Sequence, residues 1–474
     1  MSRPDALLAQ LGRDALPVLS AQDIGNDRLG ELDQLQDSAD AVPPTLTRPG
    51  AAGFWMAVAL TGLSAGIAAA VLTRLLQLIQ HLIWPGPDLL QAASTASAWH
   101  HILVLLGAGL LTGAGQIVIH RLSSANGIDI SEAISLFAGR LPTWRTLASA
   151  LLSVLVVGMG ASLGREGSPK QAGAVMANVF ADRGALSDEQ RRLLVACGAG
   201  AGMAAAYGVP LGGALFALEV LRGVLALRLV LPALLASAIA TGVSWLALPN
   251  APTYLIPSYP LSVSIVIWAL LAGPIAGLVA VVYVRAIAWA DRNKPTGWLR
   301  VLAPIMALGL IGVVSIAYPQ ILGNGKDITQ LAFTNQVAPM LLLALLVLKP
   351  AATLLCLGSG VPGGLFTPSL TLGALLGGLL GYAWAGFWPG VPPGLFSLIG
   401  AGAVLAASTH GPISAVVLMI ELTGHDRSFI LPLVLAVGTA TLVARTIERR
   451  SIYDARFTEK KLVELQQQRA PSAS

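Results

Sequence analysis

Long apolar stretches with few or no charged residues follow one another through most of this chain. The clearest are Ile102–Ile119, Ser262–Val284, Val301–Ala317 and the shorter Ile430–Val443. A helix needs about 20 mainly apolar residues to cross a bilayer, so stretches that approach or reach this length predict membrane-spanning helices. They are continuously apolar rather than alternating, which argues against a transmembrane β-barrel. The pattern predicts an all-α polytopic membrane protein.

The overall composition leads to the same class. Apolar residues make up 55% of the 474 residues, charged residues only 11%, and the mean hydropathy is +0.73. A soluble domain carries about 25% charged residues. The net charge of +5 comes without a basic patch interleaved with aromatic residues, so no nucleic-acid partner is expected. The expected surroundings are membrane lipid.

The tetrapeptide Gly164-Arg165-Glu166-Gly167 places a carboxylate inside an apolar tract, just before a predicted helix start. A charged side chain at membrane depth costs about 2.5 kcal/mol or more on insertion scales, so such a residue is a functional candidate. The glycines allow the backbone to approach a ligand closely or to adopt positive φ. The competing interpretation is a glutamate at the membrane surface, paired with Arg165.

Neither cysteines nor histidines show the spacing of a metal site. Cys197 and Cys356 both lie in apolar segments of small residues, which is typical of buried free cysteines. His100 and His101 are adjacent and would point apart on a helix. We therefore expect no metal site and no organic cofactor.

The polar segments lie at the two ends of the chain. Residues 1–50 lack the apolar core of a signal peptide and predict a cytoplasmic tail, with a short helix around Asn26–Leu35. The membrane body runs from about Phe54 to Val443, and an arginine cluster follows it, which predicts a cytoplasmic C-terminus. Thr458–Ser474 predicts a surface helix with a frayed end.

The membrane body contains an internal repeat. Asn126-Gly127-Ile128-Asp129-Ile130 recurs as Asn324-Gly325-Lys326-Asp327-Ile328, and Gly198-Ala199-Gly200-Ala201 recurs as Gly400-Ala401-Gly402-Ala403. In the same order, the repeat pairs Gly164, Pro169, Pro210 and Glu219 with Gly363, Pro368, Pro412 and Glu421. We predict a cytoplasmic tail at 1–50, membrane repeats at 51–248 and 249–446, and a cytoplasmic tail at 447–474.

Breaks rich in glycine and proline interrupt the apolar tracts in both repeats. They are Gly158–Pro169, Gly208-Val209-Pro210, Gly358–Pro368 and Gly411-Pro412. Repeats with broken helices are common in transporters, where helix N-termini near the midplane direct partial positive charge at an anionic ligand. Irregular backbone at this depth is tolerated only when it is buried in protein or lines a cavity. The residues therefore predict an anion site between the repeats, close to Glu166.

Several of these motifs together resemble the CLC family of chloride channels and chloride/proton exchangers, and most closely its bacterial ClcB-type branch. They are the GREG motif at 164–167, GSGVPGGLFTP at 358–368, the run VACGAGAGMAAAYGVPLGGALFALEV at 195–220, GNG at 323–325 and the terminal SIY at 451–453. The resemblance covers nearly the whole membrane body. It implies two inverted repeats with about 17 or 18 helices, several broken or half-spanning. It also implies a homodimer with one pore in each subunit, and an apolar helix face around Ala217 and Ile420 would suit the interface.

The resemblance assigns roles to individual residues. Glu166, flanked by Gly164, Arg165 and Gly167, matches a gating glutamate that competes with chloride when ionised and swings away when protonated. Leu365 and Phe366 match positions whose backbone N–H groups bind the central anion. Tyr453 matches an inner-gate tyrosine whose hydroxyl donates to the anion, and the alternative for Tyr453 is an aromatic anchor at the membrane interface.

Three parts of the chain depart from the family pattern. Asn126 stands where the family has an anion-binding serine, with Ser123, Ser124 and Ser131 as other candidates; Asp129 replaces a proline and would repel an anion if it faced the pore. The internal proton-relay glutamate is matched by Val220, which leaves Glu219 as the relay candidate or as a structural acid.

The third departure is Lys170, four residues after Glu166. Its side chain can hold the gate open, lower the pKa of Glu166, or add positive potential to the outer vestibule. The alternative is a lysine that extends to water at the membrane surface.

The leading functional hypothesis is transport of chloride and similar anions across the cell inner membrane, with both termini cytoplasmic and with protons as a possible second substrate. Passive, voltage- or pH-gated chloride conduction without proton coupling is the alternative. Nitrate remains a candidate anion, whereas the intact chloride-type segment at 358–368 disfavours fluoride. An intramembrane enzyme is disfavoured because the chain has no HExxH or GxSxG motif.

Overall fold

The computed structural model describes residues 51–122, 129–259, 261–424 and 429–457. Within these ranges the chain forms seventeen α-helices, a π-helical turn at Phe216–Arg222 and two short 3₁₀ turns, and no strand. The α-helices are α1 Ala51–Ile83, α2 Leu89–Thr95, α3 Ala98–Leu122, α4 Ile130–Leu136, α5 Thr143–Gly158, α6 Gly167–Arg183, α7 Asp188–Tyr207, α8 Pro210–Leu215, α9 Leu227–Ser244, α10 Val263–Arg292, α11 Leu299–Ala317, α12 Lys326–Phe333, α13 Pro339–Ser359, α14 Phe366–Ala385, α15 Pro393–Thr409, α16 Pro412–Thr423 and α17 Ile430–Ile447. The all-α fold class is confirmed.

Seven helices in the described part of the chain are long and apolar enough to cross a membrane. They are α1, α3, α10, α11, α13, α14 and α17. All four apolar stretches singled out in the sequence lie in this group, apart from Ser262, which caps the start of α10. Other apolar helices, such as Pro393–Thr409 and Pro412–Thr423, are shorter. The protein is therefore a multi-pass membrane protein that combines long and short helices.

The predicted breaks separate consecutive helices. Helix α5 ends at Gly158 and α6 begins at Gly167; α13 ends at Ser359 and α14 begins at Phe366. Helix α7 ends at Tyr207, and Gly208 caps it with φ of 71°, a left-handed conformation that glycine adopts without strain. Helix α8 then starts at Pro210. The breaks therefore bring the starts of α6 and α14 inside the protein rather than to its surface.

Two helix pairs cross at glycines in equivalent places of the repeat. Helix α6 crosses α7 at Gly173 and Gly198, where a Cβ atom on Gly173 would lie 2.0 Å from the Gly198 carbonyl oxygen. Helix α14 crosses α15 at Gly373 and Gly400, where the corresponding distance would be 2.3 Å. Only glycine permits this close approach of two backbones. Both crossings support the helices whose N-termini form the site described below.

The repeat-related acids Glu219 and Glu421 make reciprocal contacts. The carboxylate of Glu219 accepts hydrogen bonds from the N–H groups of Ile413 and Ser414, at 3.2 and 2.6 Å, at the start of α16. The carboxylate of Glu421 accepts from the N–H groups of Leu211 and Gly212, at 3.0 and 2.6 Å, at the start of α8. Each acid thus satisfies free donors of the other repeat's helix. A two-fold relation between the two repeats would produce such an exchange. The repeat boundary between residues 248 and 249 stays a prediction.

The terminal segments predicted to be helical, Asn26–Leu35 and Thr458–Ser474, lie outside the described residues. Cys197 and Cys356 are free and fully buried, as their apolar surroundings in the sequence predicted. Both thiols therefore serve as small core side chains.

The reciprocal caps predict a stability effect. Replacing Glu219 or Glu421 by glutamine removes a negative charge from a helix N-terminus and is expected to lower the free energy of unfolding by about 1 kcal/mol. Thermal unfolding of the detergent-solubilised protein, followed by tryptophan fluorescence, measures the effect. The control is Asp182→Asn, since Asp182 is 59% exposed, pairs with Arg191, and lies at the C-terminal end of α6, where a negative charge does not cap the helix. Equal losses in all three variants would contradict the capping role.

Candidate functional site

The site is built where the segment before α6 meets the segment before α14. Gly164 and Gly364 pair in antiparallel fashion, each N–H donating to the other's carbonyl oxygen at 2.8 Å. This pair joins the GREG motif of one half to the GSGVPGGLFTP motif of the other. It also places Glu166, which precedes α6, beside the first residue of α14.

The carboxylate of Glu166 is completely buried and accepts hydrogen bonds from three donors. Oε1 accepts from the backbone N–H of Phe366 at 2.8 Å. Oε2 accepts from the hydroxyls of Thr367 and Tyr207, at 2.9 and 3.3 Å. The two hydroxyls are themselves 2.8 Å apart. The carboxylate therefore sits in an anion site formed by the N-terminus of a 20-residue helix and two side-chain donors.

The glycines of the two motifs leave room for this carboxylate. A Cβ atom on Gly164 would lie 2.1 Å from Oε1 of Glu166, and one on Gly364 would lie 2.0 Å from the same atom. Real Cβ atoms do not approach oxygen so closely, so any larger residue would displace the carboxylate. The requirement for glycine at these positions is thus steric.

Tyr207 and Thr367 are functional candidates that the sequence analysis did not identify. Tyr207 is the last residue of α7 and Thr367 is the second residue of α14. A signal for Tyr207 existed, because a tyrosine directly before the Gly208-Val209-Pro210 break lies at a helix end inside the membrane body. Thr367 lies within the GSGVPGGLFTP segment, next to the predicted Phe366.

A cavity of about 130 Å³ adjoins the Glu166 turn on the side of Arg165. Arg165, Lys326 and Tyr207 all line it, and we call it the Arg165 cavity. The guanidinium of Arg165 lies 4.8 Å above the centre of the Tyr207 ring. The cavity therefore presents two cations next to the carboxylate site.

A second cavity, of about 50 Å³, lies on the side of Tyr453 and is called the Tyr453 cavity. Lys170 and Tyr453 line it together with backbone of Gly363, Gly364 and Leu365. Because Gly167 lines the Tyr453 cavity and Arg165 lines the other, the two cavities flank Glu166 along the chain. They share no lining residue. The Glu166 carboxylate contacts Tyr207, which lines the Arg165 cavity, and Gly364, which lines the Tyr453 cavity, so it lies between two separate spaces.

Lys170 points into the Tyr453 cavity rather than to water. Its side chain is buried, with 5% exposure, so the interpretation of a lysine reaching the membrane surface is wrong. Its ammonium donates to the Tyr453 hydroxyl at 3.4 Å and lies 4.9 Å from the centre of that ring. It lies 5.2 Å from the centre of the Phe216 ring. Lys170 therefore adds positive potential on the Tyr453 side of Glu166. Arg165 and Lys326 add positive potential on the other side.

Contacts of the residues that precede Tyr453 in the chain hold it in place. The N–H of Ile452 donates to the Ser408 carbonyl at 2.7 Å. Upstream, Glu448 accepts hydrogen bonds from Arg450 and Arg285 just after α17. Arg450 and then Arg285 lower the pKa of Glu448 to about 2, so this anchor remains charged at neutral pH. Tyr453, buried with 5% exposure, is therefore a placed side chain rather than an interfacial aromatic anchor.

Asp129, which would repel an anion, faces the Tyr453 cavity but is neutralised. One carboxylate oxygen accepts from the Ser131 N–H at the start of α4, at 3.1 Å. The other pairs with the Arg456 guanidinium at 3.0 Å. Arg456 also pairs with Asp291 at 3.1 Å, and Lys294 pairs with Asp291 at 2.6 Å. The acid is thus part of a salt-bridge network beside the cavity.

Other predicted site residues have different placements. Leu365 lines the Tyr453 cavity, and the amide of Phe366 binds Glu166. Asn126 lies outside the described residues. Glu219 caps α16 and lines neither cavity, and its neighbour Val220 is buried. The structure therefore brings the GREG, GSGVPGGLFTP and SIY motifs together and places Glu219 elsewhere.

Comparison with known proteins identifies the family. Residues 108–445 match the family described as voltage gated chloride channel. The voltage-gated ClC-type chloride channel ClcB of Escherichia coli O157:H7 is 33% identical over 413 residues, which cover 83% of this chain and 96% of that protein. The same is true of ClcB from Escherichia coli O6:H1. This chain belongs to the voltage gated chloride channel family, whose members are channels or transporters rather than enzymes.

Solved structures show the same fold. A slow cyanobacterial Cl⁻/H⁺ antiporter superposes with a TM-score of 0.74 at 22% identity, over 90% of this chain and all (100%) of the other. A CLC-type fluoride/proton antiporter superposes with a TM-score of 0.69 at 21% identity, over 86% of this chain and 98% of the other. The resemblance that the sequence motifs indicated is confirmed.

The steric role of the glycines gives a prediction for Gly364→Ala. The added Cβ is expected to push the Glu166 carboxylate away from the Phe366 amide, because the two cannot share the space. Infrared difference spectra against Glu166→Gln isolate the carboxylate band, which should shift in the Gly364→Ala background. Gly438→Ala is the control, since a Cβ there meets no atom within 4 Å. An unshifted band in Gly364→Ala would disprove the steric argument.

Proposed function

We propose that this protein transports chloride and similar anions across a membrane, with Glu166 as the gate. The observation that carries the proposal is the convergence of three donors on one buried carboxylate: the Phe366 N–H and the hydroxyls of Thr367 and Tyr207. A helix N-terminus with such donors binds an anion of either kind, a carboxylate or a halide. Ionised Glu166 and chloride are therefore competitors for the same place.

Protonation of Glu166 supplies the gating step. A neutral carboxyl no longer balances the partial positive charge of the α14 N-terminus, so chloride takes its place and the side chain moves aside. The two cavities that flank Glu166 are the spaces from which the anion arrives and into which it leaves. Arg165 and Lys326 on one side and Lys170 on the other attract anions to these spaces.

The contacts of Glu219 bear on whether anion transport is coupled to proton transport. Exchange needs a path that carries protons to Glu166. The Glu219 carboxylate, the relay candidate, accepts from two backbone N–H groups and from the Ser414 hydroxyl at 2.6 Å, which supports a structural role. Val220 at the matching position carries no proton. We therefore favour passive or weakly coupled conduction, with chloride/proton exchange as the second candidate because the similar solved structures include antiporters.

Flux from proteoliposomes tests the function. Chloride efflux and external pH are recorded together for the wild type and for Glu166→Ala. We expect chloride release by the wild type, and faster release that no longer depends on pH in the variant, since the gate carboxylate is gone. Uphill proton uptake that accompanies chloride and disappears in the variant would instead establish exchange.

Failure of folded wild-type protein to release chloride under any gradient would refute the transport proposal. Replacing chloride by nitrate and by fluoride in the same assay ranks the anions. Glu219→Gln is the matched acid variant, and on the structural interpretation it lowers stability without changing the ratio of protons to chloride.

We further propose placement in the cell inner membrane with both termini cytoplasmic, and assembly as a homodimer. The positive residues that follow α17 support this orientation. For the dimer, the face predicted around Ala217 and Ile420 needs correction, because Ala217 is fully buried within the subunit and Ile420 is half-buried. The repeat-related Leu211 and Ile413, at 52% and 48% exposure, provide a better apolar face on α8 and α16.

Cysteine cross-linking tests the dimer face. Leu211→Cys and Ile413→Cys are expected to give cross-linked dimers in native membranes after addition of a short bifunctional thiol reagent. The background is low because Cys197 and Cys356 are fully buried. Leu310→Cys on α11 is the control, being 51% exposed on a helix that packs against α3. Equal cross-linking at all three positions, or none, would exclude this interface.

A further inference from the structure

Lys170 is a buried cation to which the proposed gating by Glu166 assigns only a general attraction of anions. It lies one turn after Glu166, and its N–H donates to the Glu166 carbonyl at 3.2 Å as α6 begins. The backbone of this turn therefore links the two residues, while the ammonium projects into the Tyr453 cavity. A rigid helical turn thus places a positive charge at a set distance from the gate.

The ammonium has no ionic partner within the described ranges. No carboxylate there forms an ion pair with Lys170. Its contacts are the Tyr453 hydroxyl and the faces of the Tyr453 and Phe216 rings. Lys170 is buried, with only 5% of its surface exposed. A buried charge is costly unless it is paired. The ammonium carries three donors, and the tyrosine hydroxyl takes one of them.

Among the described residues, Lys170 is the cation lining the Tyr453 cavity that forms no ion pair. Asp129 and Asp291 are balanced by Arg456 and Lys294 through ion pairs of 2.6 to 3.1 Å. Lys170 adds one positive charge to this network, and the nearby Glu166 carboxylate attracts it without forming an ion pair. When Glu166 is protonated, as the gating step requires, that attraction is lost. The cavity of about 50 Å³ beside it has room for a single small anion. Charge and volume both match a halide.

We propose that the ammonium of Lys170 is an additional ligand of the transported anion that the family resemblance places at the Tyr453 hydroxyl. This inference rests on the proposed anion transport and adds a lysine of this chain, at a position that departs from the family pattern, to the residues that bind the anion. The Lys170 ammonium supplies the counter-charge for the bound anion, and the anion supplies the partner that the buried ammonium lacks. Lys170 is thereby an anion-binding residue of the pathway, on the opposite side of the gate from Arg165.

Chloride binding to purified protein tests the proposal. Isothermal titration of the wild type, Lys170→Met and Lys170→Arg at one pH gives affinity and stoichiometry. A hydrogen bond to a charged group contributes about 1.5–3 kcal/mol, so Lys170→Met is expected to weaken binding at this site by about 10- to 100-fold. Lys170→Arg keeps the positive charge on a larger, planar group and is expected to lose less affinity than Lys170→Met. Tyr453→Phe keeps the ring and is expected to lose part of the affinity.

Direct location of the anion completes the test. Crystals of the wild type soaked in bromide are expected to show an anomalous peak between Lys170 and Tyr453, absent in Lys170→Met. Lys326→Met is the charge control, because it removes a lysine from the Arg165 cavity and should leave that peak in place. If Lys170→Met does not fold, Lys170→Gln replaces it, and thermal unfolding checks both.

The outcomes separate this inference from the transport proposal. Wild-type affinity and an unchanged bromide peak in Lys170→Met would overturn the role of Lys170, even when Glu166→Ala alters chloride flux as expected. A loss of stability in Lys170→Met with unchanged chloride binding would show a purely structural lysine and would also overturn it. Absence of chloride flux in the wild type would instead reject the transport proposal.

Discussion

The hydrogen bond between the buried Glu166 carboxylate and the Phe366 amide is the interaction on which the rest of the site depends. A carboxylate at this depth is tolerated because the N-terminus of α14 offers donors that have no partner inside the helix. The glycine pair Gly164 and Gly364 brings the two chain segments close enough for this bond and leaves space for the carboxylate oxygens. The Thr367 and Tyr207 hydroxyls complete the surroundings. Loss of any one of these elements would leave a charge or a helix end unsatisfied.

The charged side chains around that hydrogen bond are arranged so that acids are paired and cations face the cavities. Acids that could repel an anion are engaged elsewhere: Asp129 with Arg456, and Glu219 with the start of α16. Cations that could attract one are left facing the cavities, with Arg165 on one side and Lys170 on the other. The protein therefore neutralises its buried acids locally and keeps its positive charges for the pathway. This division explains why two departures from the family pattern, at Asp129 and Lys170, are compatible with anion transport.

The sequence predicted a large part of this arrangement, and the limits have physical causes. The spans could be predicted because a bilayer demands about 20 apolar residues in a row, a local property of the chain. Glu166, Phe366 and Tyr453 could be identified because they belong to motifs with characteristic neighbours. Tyr207 and Thr367 were missed because their importance comes from a contact between residues 160 positions apart. The position of the Lys170 side chain could not be predicted either, since helical spacing does not tell which cavity a flexible side chain enters.

The sequence by itself determined the helical membrane class, the repeat and the glycine-rich breaks, because each follows from local composition and spacing. Only the tertiary structure decided what the buried acids do. Glu166 and Glu219 are both glutamates near a break, yet one lies between two cavities and the other caps a helix of the opposite repeat. Likewise, Ala217 had the character of an interface residue in the sequence and is buried in the subunit. The reason is that the function of a buried charge depends on the donors that surround it, and those donors come from distant parts of the chain.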